Sequence, residues 1–219
     1  MSTVRVSSTL HTRINYWPAM IDMLTSLLMF FLLIYFVEQN FSSASAQLAV
    51  ARQKQSQFSG ILEREFAPEI AAGQIGYIAD LKLLQVRFGE GVLFLPGEHE
   101  LLPQGRRLLG RLARVFHSVN ADSTHPYEQI QIEGHTDNVP ARRSYYPHDN
   151  WELSTARATS VLRFLTRGAR QPLDEKLMSV NGYADNRPAN KNRRNLNRRI
   201  EIRIYFSGGA PPGTPGARP

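Results

Sequence analysis

Apolar residues run almost unbroken from Tyr16 to Val37, in the stretch YWPAMIDMLTSLLMFFLLIYFV. From Trp17 onward this run would form a helix of about 31 Å, close to the ~30 Å hydrocarbon core of a bilayer. Aromatic rings stand near both ends, with Tyr16 and Trp17 at one and Tyr35 at the other, as membrane interfaces favour. Residues 16–37 are therefore predicted to form a single transmembrane helix.

The charges that flank this helix predict its orientation. Arg5, His11 and Arg13 precede it without any acidic residue, and Glu38 follows it. The positive-inside rule then leaves residues 1–15 as a short cytoplasmic segment and sends the rest of the chain across the membrane. A cleaved signal peptide is the alternative, because SSASA follows the run, but its apolar region is normally only ~7–15 residues long.

Asp22 is the one charged residue inside the apolar run. Helical spacing puts Ala19, Thr25 and Ser26 beside it, so small and hydroxyl-bearing residues form a polar stripe on an otherwise apolar helix. Such a stripe favours a buried seam between helices, where a carboxyl group would be able to take up and release a proton. Two alternatives stay open: an acid near the headgroups that reaches water, or one that pairs with a basic residue of a partner during assembly.

The apolar pattern weakens after the helix and then returns. Residues 38–80 are rich in Ala, Gln and Ser and contain Gly60 and Pro68, so they are predicted to be a periplasmic linker or plug-like segment. Residues 81–206 carry enough periodic apolar positions for a folded domain. Residues 207–219, SGGAPPGTPGARP, are predicted to be a disordered tail.

The domain alternates between strand and helix periodicity. Alternation predicts strands at 84–88, around Ile130 and Ile132, within 176–185, and at 198–206; a 3.6-residue period predicts helices over 106–119 and from Ser154 onward, with Ser154 as the N-cap. The order β-α-β-α-β-β predicts an α/β (α+β) sandwich with helices on one face of a mixed sheet.

Composition excludes several classes of function. The chain has 219 residues, no cysteine and a formal net charge of +7, which favours polyanionic partners. Its six histidines show no metal-ligand spacing, and neither a nucleophile elbow nor a phosphate-binding loop is present. The chain is therefore predicted not to be an enzyme and to need no metal or cofactor, and His135 is interpreted as structural.

Two short motifs carry the candidate chemistry of the domain. EGHTDN, residues 133–138, follows a strand, and NWELSTARA, residues 150–158, opens a helix. If Ser154 caps that helix, Arg157 lies in its first turn, where guanidinium and free amides would bind a carboxylate. Asp137 across the cleft would bind an ammonium group, so the pair suits a zwitterion. An ordinary Asp–Arg salt bridge is the alternative.

At this point the sequence resembles a known family. IEGHTDN, NWELSTARATSVLRFL, VNGYADNRP and NRRIEIRI are similar to successive blocks of the OmpA-like peptidoglycan-binding domain, over about residues 84–206. NWELS after the HTD loop, together with one N-terminal helix that carries an Asp, resembles the MotB branch of stator subunits. The compact linker and short N-terminal segment resemble ZorB, the MotB-like subunit of Zorya anti-phage defence systems.

The resemblance implies a role for each candidate residue. Asp137 and Arg157 would hold the diaminopimelate centre of the peptidoglycan stem peptide, and Asp22 would be the proton-carrying acid. Nearby lining would come from Thr136, Asn138, Leu153, Asn195 and Arg199. It also implies a homodimer in the bacterial inner membrane, with a periplasmic C-terminal domain and a MotA-like or ZorA-like multi-pass channel subunit as partner.

Three functions remain in competition. The first is a peptidoglycan-anchored, proton-driven stator subunit, of Zorya or flagellar type. The second is a passive OmpA-like tether between membrane and wall, against which the stripe of Asp22, Thr25 and Ser26 argues, since a tether needs only lipid-compatible side chains. The third is nucleic-acid binding through NKNRRNLNRRIEIR, which a periplasmic domain disfavours; no nucleic-acid partner is expected.

Overall fold

The computed structural model describes residues 15–120, 126–141 and 147–208. The chain divides after Ala44 into two compact units, which are described separately. The predicted cytoplasmic segment, apart from Asn15, lies outside the described residues. So do residues 142–146, between the two motifs that carry Asp137 and Arg157, and nearly all of the predicted disordered tail.

The described part of the first unit is the beginning of helix α1, Trp17–Ala71. The side-chain oxygen Oδ1 of Asn15 accepts a hydrogen bond from the backbone N–H of Trp17 at 3.2 Å and so satisfies a free donor at the helix start. Within α1, a window of mean hydropathy 2.2 contains no buried residue. By length and composition, α1 is the one helix among the described residues that could cross a membrane.

The second unit contains a five-stranded sheet and the remaining helices. The strands are β1 (Ile75–Asp80), β2 (Leu83–Gly89), β3 (Tyr127–His135), β4 (Met178–Gly182) and β5 (Arg199–Phe206). The helices are α2 (Glu90–Leu93), α3 (Pro103–Asn120), α4 (Asn150–Arg163) and α5 (Arg194–Asn197), with a π-helical turn at Phe164–Gly168 and a 3-10 turn at Glu175–Leu177.

The sheet is mixed, with strand order β1-β2-β5-β3-β4. Strands β1–β2, β2–β5 and β5–β3 pair antiparallel, and β3–β4 pair parallel. The parallel pair is connected through α4, as a crossover between parallel strands requires. This confirms the predicted α/β sandwich, and it adds one strand, β1, and two short helices, α2 and α5, to the predicted order.

The predicted apolar faces form the core. Ile130 and Ile132 of β3 are buried, and so are the alternating isoleucines of β5 together with Phe206. The apolar stripe of α3 packs onto the same cluster, which confirms the 3.6-residue period over 106–119. The opposite face of the sheet carries the polar residues of β3 and β5 and positions part of the site.

The segment expected to be a linker is part of the folded unit. The second half of α1 buries a stripe on the domain core, formed by Ala51, Gln55, Phe58, Leu62 and Phe66. Strand β1 then pairs along the whole of β2. The structure therefore differs from the sequence prediction over most of residues 45–80.

Helix α4 begins earlier than predicted. Its N-cap is Asp149, whose side chain accepts a hydrogen bond from the backbone N–H of Glu152 at 2.8 Å. The predicted N-cap at Ser154 was wrong because Asp149 is an equally good cap, and Asn150–Leu153 then continue as helix. Arg157 consequently lies two turns inside α4, away from the free N–H groups of the helix start.

Candidate functional site

Two glycines allow α4 to approach the sheet closely. Gly134 of β3 and Gly182 of β4 lie opposite each other in the parallel pair. A Cβ atom at Gly134 would clash with the backbone carbonyl of Ser154, and one at Gly182 would clash with the side chains of Ser154 and Thr155. The missing side chains form a slot for α4, and this contact brings the loop after β3 next to the buried face of the helix.

Ser154 has a different role from the predicted one. It is fully buried, and its Oγ accepts a hydrogen bond from the backbone N–H of Ala184 at 3.1 Å while donating to the carbonyl of Trp151 at 3.0 Å. The carbonyl of Ala184 in turn accepts from the N–H of Thr136 at 2.8 Å. Ser154 therefore ties α4 to the loop after β4, which itself holds the loop after β3.

A cavity of about 320 Å³ opens between the loop after β3, α4, and α2 with the loop that follows α2. Its lining brings together four of the predicted site residues: Thr136, Asp137, Leu153 and Arg157. Three further residues carry polar side chains into the same lining and were not predicted: Glu90, Asn150 and Arg198.

Four charged side chains form an alternating chain across this cavity. Arg157, almost fully buried, pairs with Glu90 and donates from Nε to the carbonyl of Glu98 at 2.8 Å. The other oxygen of Glu90 lies 2.6 Å from Nε of Arg198, and Nη1 of Arg198 lies 2.8 Å from Oδ2 of Asp137. The predicted cation and anion thus face one cavity, but an intervening Glu–Arg pair neutralises them.

This arrangement affects the protonation of Arg198. The hydrogen bond to Asp137 raises the pKa of the guanidinium, and the charges of Glu90 and Asp137 raise it further, while partial burial acts against them. Arg198 therefore stays charged at any physiological pH. Because 42% of its side chain is exposed, it is also the member of the chain of charges that a ligand can displace most readily.

Asn150 holds the loop that carries Asp137. Its Nδ2 donates to the carbonyls of Asp137 at 3.2 Å and Val139 at 3.0 Å, and its Oδ1 accepts from the N–H of Ala141 at 3.0 Å. The carboxylate of Asp137 also accepts a hydrogen bond from the N–H of Val139 at 3.2 Å. The loop is therefore set in place before any ligand arrives.

The other three predicted lining residues lie outside this cavity. Asn138 is exposed and faces neighbouring depressions with Asp185. Asn195 and Arg199 line a second cavity of about 500 Å³, which shares Glu90 and Arg198 with the first. Arg199 is buried, and its guanidinium donates to Glu201 and to the carbonyls of Asn197 and Arg187.

Two glutamates and a histidine cluster behind the site, on the polar face of the sheet. Nε2 of His135 lies 3.5 Å from Glu133 and 3.9 Å from Glu201, and all three side chains are buried. Their ligand atoms are close enough to hold a metal ion. Three guanidiniums contact the two carboxylates, those of Arg87, Arg199 and Arg203. Their positive charge disfavours a cation there, which agrees with a structural role for His135.

Arg199 and Arg87 favour the ionised form of Glu201. Burial acts to raise the pKa of this carboxyl group, but the hydrogen bond from Arg199 and the nearby positive charges outweigh it and leave the pKa below its ordinary value. The glutamate therefore stays ionised. It holds Arg87 and Arg199 in place at the edge of the second cavity.

The predicted stripe around Asp22 lies in the first unit, on α1. Ala19, Asp22, Thr25 and Ser26 are all helical and exposed in the isolated chain. The hydroxyl of Thr25 donates to the backbone carbonyls of Ile21 and Asp22, both at 2.9 Å. Thr25 is therefore satisfied within its own helix and contributes a small polar surface next to Asp22.

The sequence contains different amounts of information about the three lining residues that were not predicted, Glu90, Asn150 and Arg198. Asn150 belongs to the NWELS motif and precedes the predicted cap, so a cap at Asp149 would have placed it near Asp137. Arg198 stands next to Arg199, and strand alternation sends neighbouring side chains to opposite sides. Glu90 follows β2 in EGVLF. No sequence pattern indicates that it lines the cavity, because its position depends on how α2 is oriented toward α4.

The described geometry fits the recognition of a small zwitterion. A carboxylate that replaced Glu90 would meet the guanidinium of Arg157, and an ammonium that replaced Arg198 would meet the carboxylate of Asp137. Both protein groups are almost fully buried, so they are held in place and shielded from water.

Comparison with known proteins finds a family to which this domain is similar. Residues 93–201 match the OmpA family. This part of the chain, 109 of its 219 residues, is similar to the OmpA family. The matched range begins at the end of α2 and ends within β5, so it includes Asp137, Arg157 and Arg198. It does not include α1, β1, β2 or Glu90.

Two curated relatives come from Bacillus subtilis (strain 168). An uncharacterized protein, YtxE, is 38% identical over 122 residues, covering 54% of this chain and 46% of the relative. Motility protein B is 37% identical over 89 residues, covering 39% of this chain and 33% of the relative. The chain thus spans less than half the length of the curated relatives it matches.

Two solved structures share the fold of the domain. A protein of Desulfovibrio vulgaris described as MotB-like is 26% identical, with a TM-score of 0.60 and coverage of 73% of this chain and 94% of that one. The cell wall anchor of the T6SS from Pseudomonas aeruginosa is 27% identical, with a TM-score of 0.56 and coverage of 66% and 96%.

Proposed function

We propose that this chain is a MotB-like stator subunit of a proton-driven inner-membrane motor, anchored to peptidoglycan by its OmpA-like domain. In this proposal Asp137 and Arg157 hold the zwitterionic diaminopimelate centre of a stem peptide. The N-terminus is cytoplasmic, α1 crosses the inner membrane once, and the domain is periplasmic. The chain binds peptidoglycan and conducts protons, and it catalyses no covalent reaction.

The observation that carries the wall-binding half is the meeting of Asp137 and Arg157 in one cavity of a domain similar to the OmpA family. The two charges lie on separate elements, a loop after β3 and the third turn of α4, and only the fold brings them together. Similarity to the T6SS cell wall anchor and to motility protein B supports the same function.

Ion conduction is the second half of the proposal. Asp22, in its stripe of Ala19, Thr25 and Ser26, carries protons between two copies of this chain and a MotA-like or ZorA-like multi-pass subunit. Torque on such a partner requires an immobile support, and the wall provides one. The process that is driven is proposed to be a Zorya-type antiviral defence system, with a flagellar motor as the alternative.

Binding to purified peptidoglycan sacculi tests the wall-binding half. Asp137→Asn in the detergent-solubilised full chain should abolish co-sedimentation, because the ammonium loses its counter-charge while the side-chain shape is kept. Asp185→Asn is the matched control, since Asp185 is exposed on a neighbouring loop and does not line the cavity. Undiminished binding by Asp137→Asn would contradict the zwitterion site.

A passive wall tether is the second candidate, favoured by the similarity to a protein that is named only as a cell wall anchor. It shares the wall site and differs in having no ion flow. The two candidates differ in the role of Asp22, so proton flux and activity of Asp22→Asn distinguish a stator from a tether.

A further inference from the structure

We propose that the second cavity is a subsite for an additional carboxylate of the same peptide ligand, which rests on the proposed wall-binding function. This cavity has a volume of about 500 Å³ and lies between the start of β1, the end of β2, α2 and α5. It includes residues from β1 and β2, which precede the OmpA family match.

The lining of the second cavity is cationic. Arg87, Arg198 and Arg199 face it, and Glu90 is its one acidic side chain. Both oxygens of Glu90 are already engaged, one by Arg157 and the other by Arg198. The ion pairs around the cavity join five guanidiniums to four carboxylates, so one positive charge is in excess. An anion is therefore the ligand that the electrostatics of this cavity favour.

Arg87 is the residue best placed to bind that anion. Its Nε lies 3.3 Å from Glu201, and 35% of its side chain is exposed. Among the described residues, Glu201 is the one hydrogen-bond acceptor of Arg87, so part of the guanidinium remains available to a ligand. Arg199, in contrast, already uses Nε and both terminal nitrogens within the protein.

The two cavities form one path, since Glu90 and Arg198 belong to both linings. A ligand in the first cavity is separated from the second only by this ion pair. An ion pair is about as wide as one or two residues of an extended peptide, at roughly 3.3 Å each. The geometry therefore fits a peptide that has a zwitterionic centre and a carboxylate on an adjacent residue.

Three peptides test this subsite. The probe is L-Ala–γ-D-Glu–meso-diaminopimelate–D-Ala, compared with two forms in which either the D-Glu or the D-Ala carboxylate is an amide. Dissociation constants would be measured by calorimetry with the full chain in detergent. We expect one of the two amides to bind about fivefold to tenfold more weakly, because it loses a charge-assisted hydrogen bond at a partly exposed arginine.

Arg87→Gln identifies the protein group. This variant should weaken binding of the free acid by the same factor and should leave binding of the weaker amide unchanged, since both changes remove one interaction. Arg203→Gln is the control: Arg203 also contacts Glu201 and is similarly exposed, but it does not line the cavity. It should bind all three peptides as the wild type does.

The outcomes separate this inference from the function on which it rests. Equal binding of all three peptides, or equal losses in Arg87→Gln and Arg203→Gln, would overturn the subsite and leave the wall-binding site intact. If none of the peptides bound to the wild type, the proposed function would fall and the subsite with it.

Discussion

Arg157 shows how much of the site depends on burial of single residues. Its guanidinium is enclosed by α2 and the loop that follows, where it meets Glu90 and the carbonyl of Glu98. An arginine keeps its charge in such a place, and its flat fork suits a carboxylate, whereas a lysine would offer only a point charge. Glu90 supplies that carboxylate in the free protein, so a ligand competes with a partner that is already present.

Gly134 carries a prediction at the same scale. Gly134→Ala should destabilise the domain by about 1–3 kcal/mol, because its Cβ would press against the backbone of Ser154, which cannot move aside as a flexible side chain would. The measurement is urea unfolding of residues 45–219, the second compact unit. The same variant should weaken peptidoglycan binding, since α4 carries Arg157.

Gly110→Ala is the control for this substitution. Gly110 lies inside α3 with open space around its Cα, so alanine there should stabilise the domain by roughly 0.5–1 kcal/mol through helix propensity. If Gly134→Ala left stability unchanged or raised it, the close approach of α4 to the sheet would not be what positions the site.

Individual site residues were predictable where local pattern and position agree. Thr136 and Asp137 follow a clearly alternating strand, so their place at its end could be derived. Arg157 lies in the predicted cavity, but the argument for it was partly wrong. It assumed an N-cap at Ser154 and so placed Arg157 in the first turn of the helix, whereas the N-cap is Asp149. Glu90 and Arg198 could not be derived, since their pairing joins residues far apart in sequence and depends on the final packing.

At the scale of elements, the second half of α1 is the largest departure from the sequence prediction. Its buried stripe has the spacing of a helix, but two of its members, Ala51 and Gln55, are not strongly apolar. Gln55 is nonetheless buried and donates to the carbonyl of Leu83 at 2.6 Å. The pattern was therefore too weak for a core helix to be predicted, although Phe58, Leu62 and Phe66 contribute to the core.

Phe58 connects this helix to the centre of the domain. Its ring packs edge-on against Phe116, Tyr127 and Phe206, with centroids 5.1 to 6.3 Å apart. Phe58→Ala should cost about 3–5 kcal/mol in the free energy of unfolding of residues 45–219, because it empties a fully enclosed aromatic position.

Val50→Ala is the matched control on the same helix, since Val50 is an exposed apolar residue and its loss should stay within about 0.5 kcal/mol. Equal effects of the two substitutions would mean that this half of α1 is a linker after all. A fragment that starts at residue 77 would lack this helix, so wall-binding assays need residues 45–219 or the full chain.

At the scale of the whole molecule, the two proposed activities are assigned to different units. Residues of the wall site all lie after Ala44, whereas Asp22 lies before it. Substitutions in one unit should then leave the function of the other intact. In a stator, a substitution at Asp22 should stop ion flow and leave wall binding unchanged. In a passive tether, the same substitution should have no effect.

Asp22→Asn provides that comparison. Co-expressed with the proposed MotA-like or ZorA-like subunit, the variant should insert, assemble with that partner and bind peptidoglycan like the wild type, because asparagine keeps the size of the side chain. It should nonetheless lose proton flux and biological activity, since an amide does not carry a proton at this position. Flux would be followed in inverted vesicles with a pH-sensitive dye.

Glu38→Gln is the control, because Glu38 is the next acidic residue on α1 and lies just beyond the apolar run. It should conduct as the wild type does. Normal flux and activity in Asp22→Asn would make Asp22 incidental and leave the wall tether as the function. Loss of partner assembly in Asp22→Asn would instead make the carboxylate an assembly contact, whose loss removes the channel before conduction can be measured.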